Sequence, residues 1–560
     1  MEMKRDNRMA IGFLAASLTA ACALSSPAAD AGGTVGYTMF NGGLDLLGKD
    51  YSVCGRAREG VFSFRAPDGS HEWVELRVRA AVNGRDLPAF ALENGKTDVV
   101  AEAPRYVLVY TNAAARAELS FHAEKAVLAL TLRRPSPFAV KSVTLGFGLR
   151  TDSDYVFDPS VGHQPYHEFP TAEPRSIKPG LASPPPWVFS YRKEGRSGCW
   201  SAALEPEREK IDFHSFLHSP VPGEGVGWSV EYEGLPAEAG DFAVPPLVLR
   251  FGDADFFAAL ARHVRDLQAE GKMKVPARNL PAWHGETLAC SWRYQREVEG
   301  NRPGRWQATE ENCETVVRML EEKGIPFGTF IIDDFWGRQH GIWEEDLERW
   351  KSLRGFIDRQ HAKGRHVLLW VCTDGEGLPA EERVSGNQWN LESPAFQARL
   401  KAAARRMLSS EPGCYDADGV KFDFTATAGN TRNFHGCGYI LRRFEMLTEA
   451  LLAVKPEALL DYQCTNPYFT HTLTMLRLND YFGAPQHGLR EMRLRAKIAG
   501  ICAPGALRDT DHVGFRRYSY RGAYDFFRHQ HEFGVRSLYL MTKDLEDEEL
   551  VSILRTPPAK

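Results

Sequence analysis

The chain has 560 residues, which is too many for one ordinary hydrophobic core, so its length predicts two or three domains. Charged residues make up 25% of the sequence and aromatic residues 11%, as in ordinary soluble globular proteins. The net charge is -5 and no long basic run occurs, which argues against nucleic acid as a partner. Twelve tryptophans leave enough aromatic surface for stacking on sugar rings, although most of them are expected in the core.

Residues 1–31 are predicted to be a secretory signal peptide. A basic start precedes an apolar run over residues 9–24, and Ala29 and Ala31 supply small residues at the two positions that determine cleavage. The run is too short to span a membrane, and no later run reaches the roughly 20 apolar residues that a span needs. Export to the periplasm or the medium is therefore expected. Residues 19–22 also resemble a lipoprotein box, so lipidation of Cys22 is the alternative.

Residues 32–252 are predicted to form a β-sandwich. Short runs of alternating apolar residues are separated by Gly, Pro, Asn and Asp, and helical periodicity is nearly absent. The runs lie at residues 61–64, 73–78, 106–110, 126–132 and 247–251. Residues 253–284 are predicted to be a helical connector, because apolar residues follow helical spacing until Gly271 provides a C-cap.

Residues 285–552 are predicted to form a (β/α)8 barrel, the TIM barrel, so the fold class is α/β with a sandwich ahead of the barrel. Strand and helix signals alternate here, with helices predicted at 315–322 and 439–452 and a capped helix start at Ser393 and Pro394. Eight repeats in about 265 residues match the size of such a barrel. The strands are predicted to begin near Glu286, Phe327, His366, Gly419, Ala458, Met475, Ala506 and Val535.

Acidic residues recur where these strands end, interleaved with tryptophans. The active site of a TIM barrel lies at the carboxyl ends of its strands, so the residues there are the candidates for catalysis. Carboxylates bind sugar hydroxyls and supply acid, base and nucleophile, while aromatic faces stack on sugar rings. The residues at these ends include Trp292, Asp333, Asp334, Trp370, Lys421, Asp423, Cys464, Asp480, Asp509, Asp511 and His512.

The most informative pair is Lys421 and Asp423 in residues 418–424. Residues two apart on a strand share one face, so both side chains are expected in the same space. A neighbouring cation keeps a carboxylate ionised, and an ionised carboxylate at a strand end suits a glycosidase nucleophile. The alternative is a buried ion pair in the barrel core.

The neighbouring residues also admit more than one interpretation. Asp333 and Asp334 could cap helices, and Trp336 and Trp370 could be core residues. Residues 509–512 could bind a metal ion or form a loop with mutual hydrogen bonds. No phosphate-binding loop, HExxH motif or CxxC pair occurs, so neither a cofactor nor zinc is predicted. Nine cysteines would remain after cleavage, and their disulfide pattern is left open.

The motifs at 332–336 (IDDFW), 369–371 (LWV), 419–423 (GVKFD) and 479–480 (ND) resemble, in this order, the barrel of the clan D α-glycosidases. The similarity is strongest to glycoside hydrolase family 36, which holds α-galactosidases and a raffinose-synthase branch. An N-terminal β-sandwich before the barrel is typical of that family. The resemblance implies that Asp423 is the nucleophile and Asp480 the general acid/base.

The resemblance also implies a substrate-binding set around one sugar ring. Asp333 and Asp334 would bind hydroxyls of the ring, and Lys421 would contact a neighbouring hydroxyl. Cys464 would lie close to the 2-hydroxyl, and two tryptophans would wall the pocket. These tryptophans are Trp292 and Trp370.

Two motifs depart from the family pattern. Residues 465–468 (TNPY) replace a glycine-rich stretch, and Asn479 stands where the family has serine. The sequence also continues only briefly after the eighth strand, without the family's usual C-terminal β-domain. These departures leave the sugar and the leaving-group side open, whereas both aspartates are present.

Together these patterns predict an exported retaining α-glycosidase, α-galactosidase-like, that hydrolyses terminal α-linked galactose from an oligosaccharide or glycan without a cofactor. The alternatives are an α-N-acetylgalactosaminidase, α-glucosidase or transglycosylase, a non-catalytic carbohydrate-binding protein, and a metal-dependent hydrolase using residues 509–512. Asp423 is expected to be ionised by Lys421, and Asp480 to be the more easily protonated carboxyl. The natural glycan and the oligomeric state are left open.

Overall fold

The computed structural model describes residues 36–40, 43–100, 103–161, 167–180, 184–221, 225–276, 280–299, 308–427, 429–514 and 521–556. The predicted signal peptide and Cys22 lie outside these residues. Every helix in the described ranges is too short or too polar to cross a membrane. The nine cysteines in these ranges form no disulfide with one another.

The described residues between 36 and 253 form two antiparallel sheets. One has eleven strands, in the order β1-β2-β3-β4-β5-β12-β19-β18-β15, with β6 paired to β12 and β7 paired to β6; the other has nine, in the order β14-β13-β16-β17-β20-β11-β10-β9-β8. The strands are β1 (Gly36–Phe40), β2 (Gly43–Leu47), β3 (Ser52–Arg56), β4 (Val61–Arg65), β5 (Glu72–Arg77), β6 (Ala81–Val82), β7 (Arg85–Asp86), β8 (Ala91–Val100), β9 (Ala103–Thr111), β10 (Ala115–Phe121), β11 (Lys125–Arg134), β12 (Phe138–Thr151), β13 (Tyr155–Phe157), β14 (Glu168–Pro170), β15 (Arg175–Ile177), β16 (Val188–Arg192), β17 (Cys199–Leu204), β18 (Ser215–Val221), β19 (Gly225–Ala237) and β20 (Gly240–Asp253).

The two sheets pack face to face, as the predicted sandwich requires. Side chains alternate between buried and part-exposed along β11, so one face of that strand is apolar. Aromatic rings join the sheets across the core: Phe64 stacks on Phe251 at 5.0 Å, and Trp200 meets Trp228 edge-on at 5.9 Å. The predicted sandwich is therefore confirmed.

The connector contains helix α1 (Phe256–Ala269), which Asp255 caps by accepting a hydrogen bond from the backbone N–H of Ala258. The helix is tied to the sandwich because the guanidinium of Arg250 pairs with Asp266 at 2.8 Å. The last sandwich strand ends at Asp253, and the first barrel strand begins at Leu288.

The described C-terminal residues form eight parallel strands in the order β29-β28-β27-β26-β23-β22-β21-β30, and a bridge between Asp509 and Val535 joins the two ends. The predicted barrel is thus confirmed, and each strand begins within two residues of its predicted start. The barrel strands and the short β24–β25 pair are β21 (Leu288–Cys290), β22 (Thr329–Ile332), β23 (His366–Cys372), β24 (Arg383–Val384), β25 (Gln388–Trp389), β26 (Gly419–Asp423), β27 (Leu459–Tyr462), β28 (Met475–Arg477), β29 (Leu507–Asp509) and β30 (Ser537–Tyr539).

Helices surround the barrel strands. Ser393 caps one of them with Pro394 at its first position, as predicted, and Thr309 starts another earlier than the predicted 315. The helices are α2 (Trp292–Glu299), α3 (Glu310–Glu322), α4 (Leu353–His361), α5 (Pro394–Leu408), α6 (Gly436–Leu452), α7 (Pro485–Cys502), α8 (Arg521–His529) and α9 (Glu548–Arg555).

Loops of the barrel rest on the sandwich. After β27, the side-chain amide of Asn466 donates to the carbonyl of Pro185 at 2.7 Å, and the hydroxyl of Tyr468 donates to the carbonyl of Pro206 at 2.8 Å. The ring of Tyr468 also lies 5.1 Å from that of Trp187. The segment that departs from the family pattern is therefore an interdomain contact.

Candidate active site

The backbone is strained where four barrel strands end. Phe335, Phe424, Asn479 and Asp511 have φ between +49° and +66°, a left-handed conformation that non-glycine residues rarely adopt. They follow β22, β26, β28 and β29, so four strained turns meet at the same end of the barrel. Such strain clusters at functional sites, because the surrounding structure must hold it in place.

Asp423 ends β26 and points into this mouth. Its carboxylate accepts hydrogen bonds from the indole of Trp370 at 3.2 Å and from the backbone N–H of Phe424 at 2.9 Å, and it pairs with Arg477 at 3.3 Å. Burial alone raises the pKa of Asp423, but the positive charges of Arg477 and then Lys421 outweigh it and leave the pKa below its usual value. Asp423 is therefore ionised at neutral pH.

Asp480 has the opposite electrostatic environment. Burial in the barrel mouth and the negative charge of Asp511 raise its pKa well above the usual value, and Asp423 raises it further. Arg477 lies 3.9 Å away and only partly offsets these effects. The Asp480 side chain is 28% exposed, so a ligand in the mouth can reach the carboxyl. Asp480 therefore keeps its proton to higher pH than Asp423 does.

Arg477 joins the two candidate catalytic carboxylates, and sequence reasoning did not single it out. Its guanidinium is buried and contacts Asp423 at 3.3 Å, Asp480 at 3.9 Å and Asp511 at 2.8 Å. It reaches all three because it lies on the inward face of β28, two residues after the inward-facing Met475. That alternation is the one signal in the sequence that could have identified it.

Lys421 makes its direct ion pair with Asp333 rather than with Asp423. The Lys421 Nζ atom lies 2.6 Å from the Asp333 carboxylate, which also accepts a hydrogen bond from the Cys290 thiol. Burial lowers the pKa of Lys421, but the negative charge of Asp333 outweighs it and leaves the pKa raised. The prediction that Lys421 ionises Asp423 therefore needs correction: Arg477 makes the larger contribution and Lys421 a smaller one.

Asp334 lies at the edge of a cavity of about 210 Å³ between the loops after β22 and β23. Its carboxylate binds the imidazole of His340 at 2.7 Å and accepts from the backbone N–H of Phe335. Burial lowers the pKa of His340, but hydrogen bonds to Asp334 and Cys372 reverse this and raise it to about 11. His340 is therefore a cation beside the cavity, in a loop for which the sequence pattern predicts no such charge.

Neither Asp333 nor Asp334 caps a helix in the described ranges.

The two predicted wall tryptophans differ in position. Trp370 contacts Asp423 directly and lies 5.4 Å from the ring of His340, so it lines the site. Trp292 is half-buried and packs against the inward cluster that contains Cys290 and Tyr539. Trp336, for which a core role was the alternative, is buried and donates its indole N–H to the carbonyl of Trp370 at 2.8 Å.

Cys464 is not brought to the pocket. It is fully buried in the outer core cluster, which also contains Cys437 of α6 and Cys502 of α7. Residues on a strand alternate between faces, so Cys464 follows the outward-facing Tyr462 rather than the inward-facing Asp461. The resemblance therefore misplaces this residue.

Further buried carboxyls lie on the barrel strands themselves. Asp461 is fully buried, both of its oxygens lack a hydrogen-bond partner among the described residues, and burial raises its pKa well above the usual value. Burial also raises the pKa of Asp509 to about 6. Within the described ranges, Lys421 and Arg477 are thus surrounded by more carboxyls than they can neutralise. These carboxyls are Asp333, Asp423, Asp461, Asp480, Asp509 and Asp511.

Residues 509–512 form a hydrogen-bonded loop. The backbone N–H of Asp511 donates to the Asp509 carboxylate at 2.8 Å, and the ring of His512 packs against Tyr539 at 5.0 Å. In the described part of the chain, no group of three or more His, Cys, Asp and Glu side chains is arranged to hold a metal ion. The interpretation as a loop with internal hydrogen bonds therefore fits these residues.

Neither a family model nor a curated protein matches the sequence significantly. The structure is similar to the α-galactosidase from Lactobacillus brevis, with a TM-score of 0.52 and 11% sequence identity, over 93% of this chain and 82% of that chain. It is similar to the GH31 dextranase of Flavobacterium johnsoniae complexed with glucose, with a TM-score of 0.50 and 10% identity, over 94% and 67%. It is also similar to the cycloalternan-forming enzyme from Listeria monocytogenes, with a TM-score of 0.50 and 9% identity, over 93% and 54%. At these identities the likeness establishes the fold, and the resemblance to family 36 remains a prediction.

Proposed function

We propose that the protein is a retaining α-glycosidase in which Asp423 is the nucleophile and Asp480 the general acid/base. The observation that carries this proposal is the arrangement around Arg477. One guanidinium contacts two carboxyls, while their surroundings lower the pKa of Asp423 and raise that of Asp480. A pair of carboxyls whose pKa values are driven apart is how a glycosidase separates its nucleophile from its acid.

In the first step the Asp423 carboxylate attacks the anomeric carbon of the sugar. The bond between that carbon and the leaving oxygen breaks, and Asp480 transfers its proton to this oxygen. The sugar is then covalently bound to Asp423 with inverted configuration. Loss of the proton leaves Asp480 as a carboxylate, ready to act as a base.

In the second step Asp480 removes a proton from a water molecule, whose oxygen attacks the anomeric carbon. The bond to Asp423 breaks, and the released sugar has the configuration of the substrate. The negative charge moves from Asp423 to Asp480 in the first step and back in the second. Arg477 contacts both carboxyls, so its positive charge stabilises whichever of them is ionised.

For the substrate we favour terminal α-linked galactose. The motif order of family 36 and the fold shared with the Lactobacillus brevis α-galactosidase support it. Asp333, Asp334 and Trp370 would then bind the ring, with Lys421 behind Asp333. The Flavobacterium johnsoniae dextranase, whose structure holds glucose, shares the fold, so glucosides are the main competing substrates.

A panel of nitrophenyl α- and β-glycosides tests the proposal. Turnover of the α-galactoside, with α-galactose seen first by NMR, is the expected result. Preference for another α-glycoside would keep the mechanism and change the specificity. Turnover of none, together with stabilisation by free galactose, would indicate a non-catalytic carbohydrate-binding protein.

Export is part of the proposal. The predicted signal peptide over residues 1–31 would be removed by cleavage after Ala31, which leaves Gly32 as the first residue. Mass spectrometry of the mature N-terminus from cell fractions would identify this cleavage. A lipid-modified N-terminus at Cys22 would instead show that the protein is exported as a lipoprotein.

A further inference from the structure

Asp480 belongs to a segment without regular structure that a buried arginine holds by its backbone. The segment 478–480 leaves β28 directly after Arg477. The Arg495 Nη1 atom, on α7, donates to the carbonyls of Leu478, Asn479 and Asp480 at 3.1, 2.8 and 3.2 Å. Three successive carbonyls therefore converge on one guanidinium, which is fully buried.

The same segment is strained and needs such support. Asn479 has a φ of +66°, and its side-chain amide donates to the carbonyl of Val161 in the sandwich domain at 3.2 Å. A left-handed non-glycine residue persists only where its surroundings fix it. Buried carbonyls also need donors, because an unpaired one costs free energy. Arg495, which projects from α7, donates hydrogen bonds to these carbonyls.

Arg495 is itself held from the sandwich domain. Its Nε atom pairs with Glu491 at 2.7 Å, and Glu491 binds Nε2 of His167 at 3.3 Å. The other ring nitrogen of His167 faces the carbonyl of Asp158 at 3.1 Å. His167 therefore lies between Glu491 and a backbone carbonyl of the sandwich, with one ring nitrogen facing each. The side chains of His167 and Glu491 are each 3% exposed, so their contact is shielded from solvent.

We propose that Arg495 is a positioning residue for Asp480, and that Glu491 and His167 connect this role to the sandwich domain. The proposal rests on the function proposed above, because it assigns the position of the acid/base. Arg495 acts through the backbone of residues 478–480 and is not placed against the substrate. A proton donor displaced by about 1 Å loses much of its effect, so fixing this segment fixes catalysis by the acid.

The test compares Arg495→Lys with Arg493→Lys. Both residues lie on α7, but Arg493 is 50% exposed and pairs with Glu532 at the surface. A lysine at 495 keeps the charge for Glu491, whereas it cannot present the planar guanidinium to three carbonyls. Glu491→Gln is the second variant, which weakens the support of Arg495 without removing the hydrogen-bonding oxygen.

Activity is measured on two α-glycosides of the preferred sugar, one with a nitrophenyl and one with a methyl leaving group. The methyl glycoside needs the proton of Asp480, whereas the nitrophenyl glycoside hardly does. We expect Arg495→Lys to lower kcat/KM about 100-fold on the methyl glycoside and less than about 5-fold on the nitrophenyl glycoside. Glu491→Gln should show the same difference between the two substrates with smaller losses in kcat/KM. Arg493→Lys should lower kcat/KM on neither substrate. Equal losses on both substrates would overturn the proposal.

Amide hydrogen exchange gives a readout that does not depend on activity. In Arg495→Lys, the amides of residues 478–481 should exchange faster than in the unsubstituted protein, while the barrel strands keep their protection. Unchanged exchange in this segment would overturn the positioning role. If the unsubstituted protein turns over no glycoside, the proposed function fails, and faster exchange still supports the effect of Arg495 on the segment.

Discussion

The Nη1 atom of Arg477 lies 3.3 Å from Oδ1 of Asp423, so the candidate nucleophile is bound to an arginine two strands away rather than to the lysine on its own strand. Burial makes the pair stronger, because little water screens it. The charges around this contact lead to four testable expectations.

The first concerns Arg477 itself. Substitution Arg477→Met removes the main charge that lowers the pKa of Asp423, so this pKa should rise. The acidic limb of the pH profile of kcat/KM should move to higher pH, because Asp423 must be ionised in the free enzyme. Arg477→Lys should shift the limb less, since it keeps a positive charge. An acidic limb that stays in place in a folded Arg477→Met protein would contradict the role of this residue.

The second prediction separates the two aspartates. Asp423→Ala removes the nucleophile, so activity should be severely reduced on every substrate. Asp480→Ala should still react with a nitrophenyl glycoside and then accumulate the glycosyl-enzyme, which is seen as a burst. Azide needs no base, so it should rescue Asp480→Ala and give the α-azide, whereas rescue of Asp423→Ala should give the β-azide. Exchanged products would mean exchanged roles.

The third prediction uses Asp511, whose negative charge helps to raise the pKa of Asp480. Asp511→Asn should lower this pKa, because it removes a like charge and frees Arg477, which Asp511 contacts at 2.8 Å. Asp480 must be protonated for the first step, so the basic limb of kcat/KM should move to lower pH. A basic limb that moves to higher pH, or not at all, would exclude this effect.

The fourth prediction is on stability and compares two lysine–carboxylate pairs with the same 2.6 Å separation. Lys421 is 3% exposed beside Asp333, whereas Lys363 is 46% exposed beside Glu321. Lys421→Met should cost about 3–5 kcal/mol of unfolding free energy, because it leaves a buried carboxylate without its cation. Lys363→Met should cost less than about 1 kcal/mol. Urea unfolding measures both, and equal costs would contradict the burial argument.

The sequence was sufficient to predict the barrel because its parallel strands are short apolar runs between turn residues. Their starts agree with the structure to within two residues, from Leu288 to Ser537. The position of Asp423 at the end of β26 was also predictable, since it ends a strand in a recognisable motif. Such features depend on residues close together in the chain.

Arg477 and His340 were not predicted because their roles depend on residues from several elements. Arg477 acquires its role only when Asp423, Asp480 and Asp511 converge on it from three strand ends. His340 lies in a loop whose path the sequence pattern does not determine. The failure at Cys464 is different, because strand alternation alone would have placed it on the outward face.

The contact between residues 465–468 and the sandwich has a consequence for anyone who wishes to produce the barrel alone. A comparison of sequences counts this stretch as a lost glycine motif, yet here it fastens two domains through Asn466 and Tyr468. Excision of residues 32–252 would leave Tyr468 without Trp187 and expose an aromatic surface to solvent. A chimera with a glycine-rich stretch at this position should likewise weaken the contact between the two domains. Domain shuffling must therefore move the sandwich and this loop as one unit.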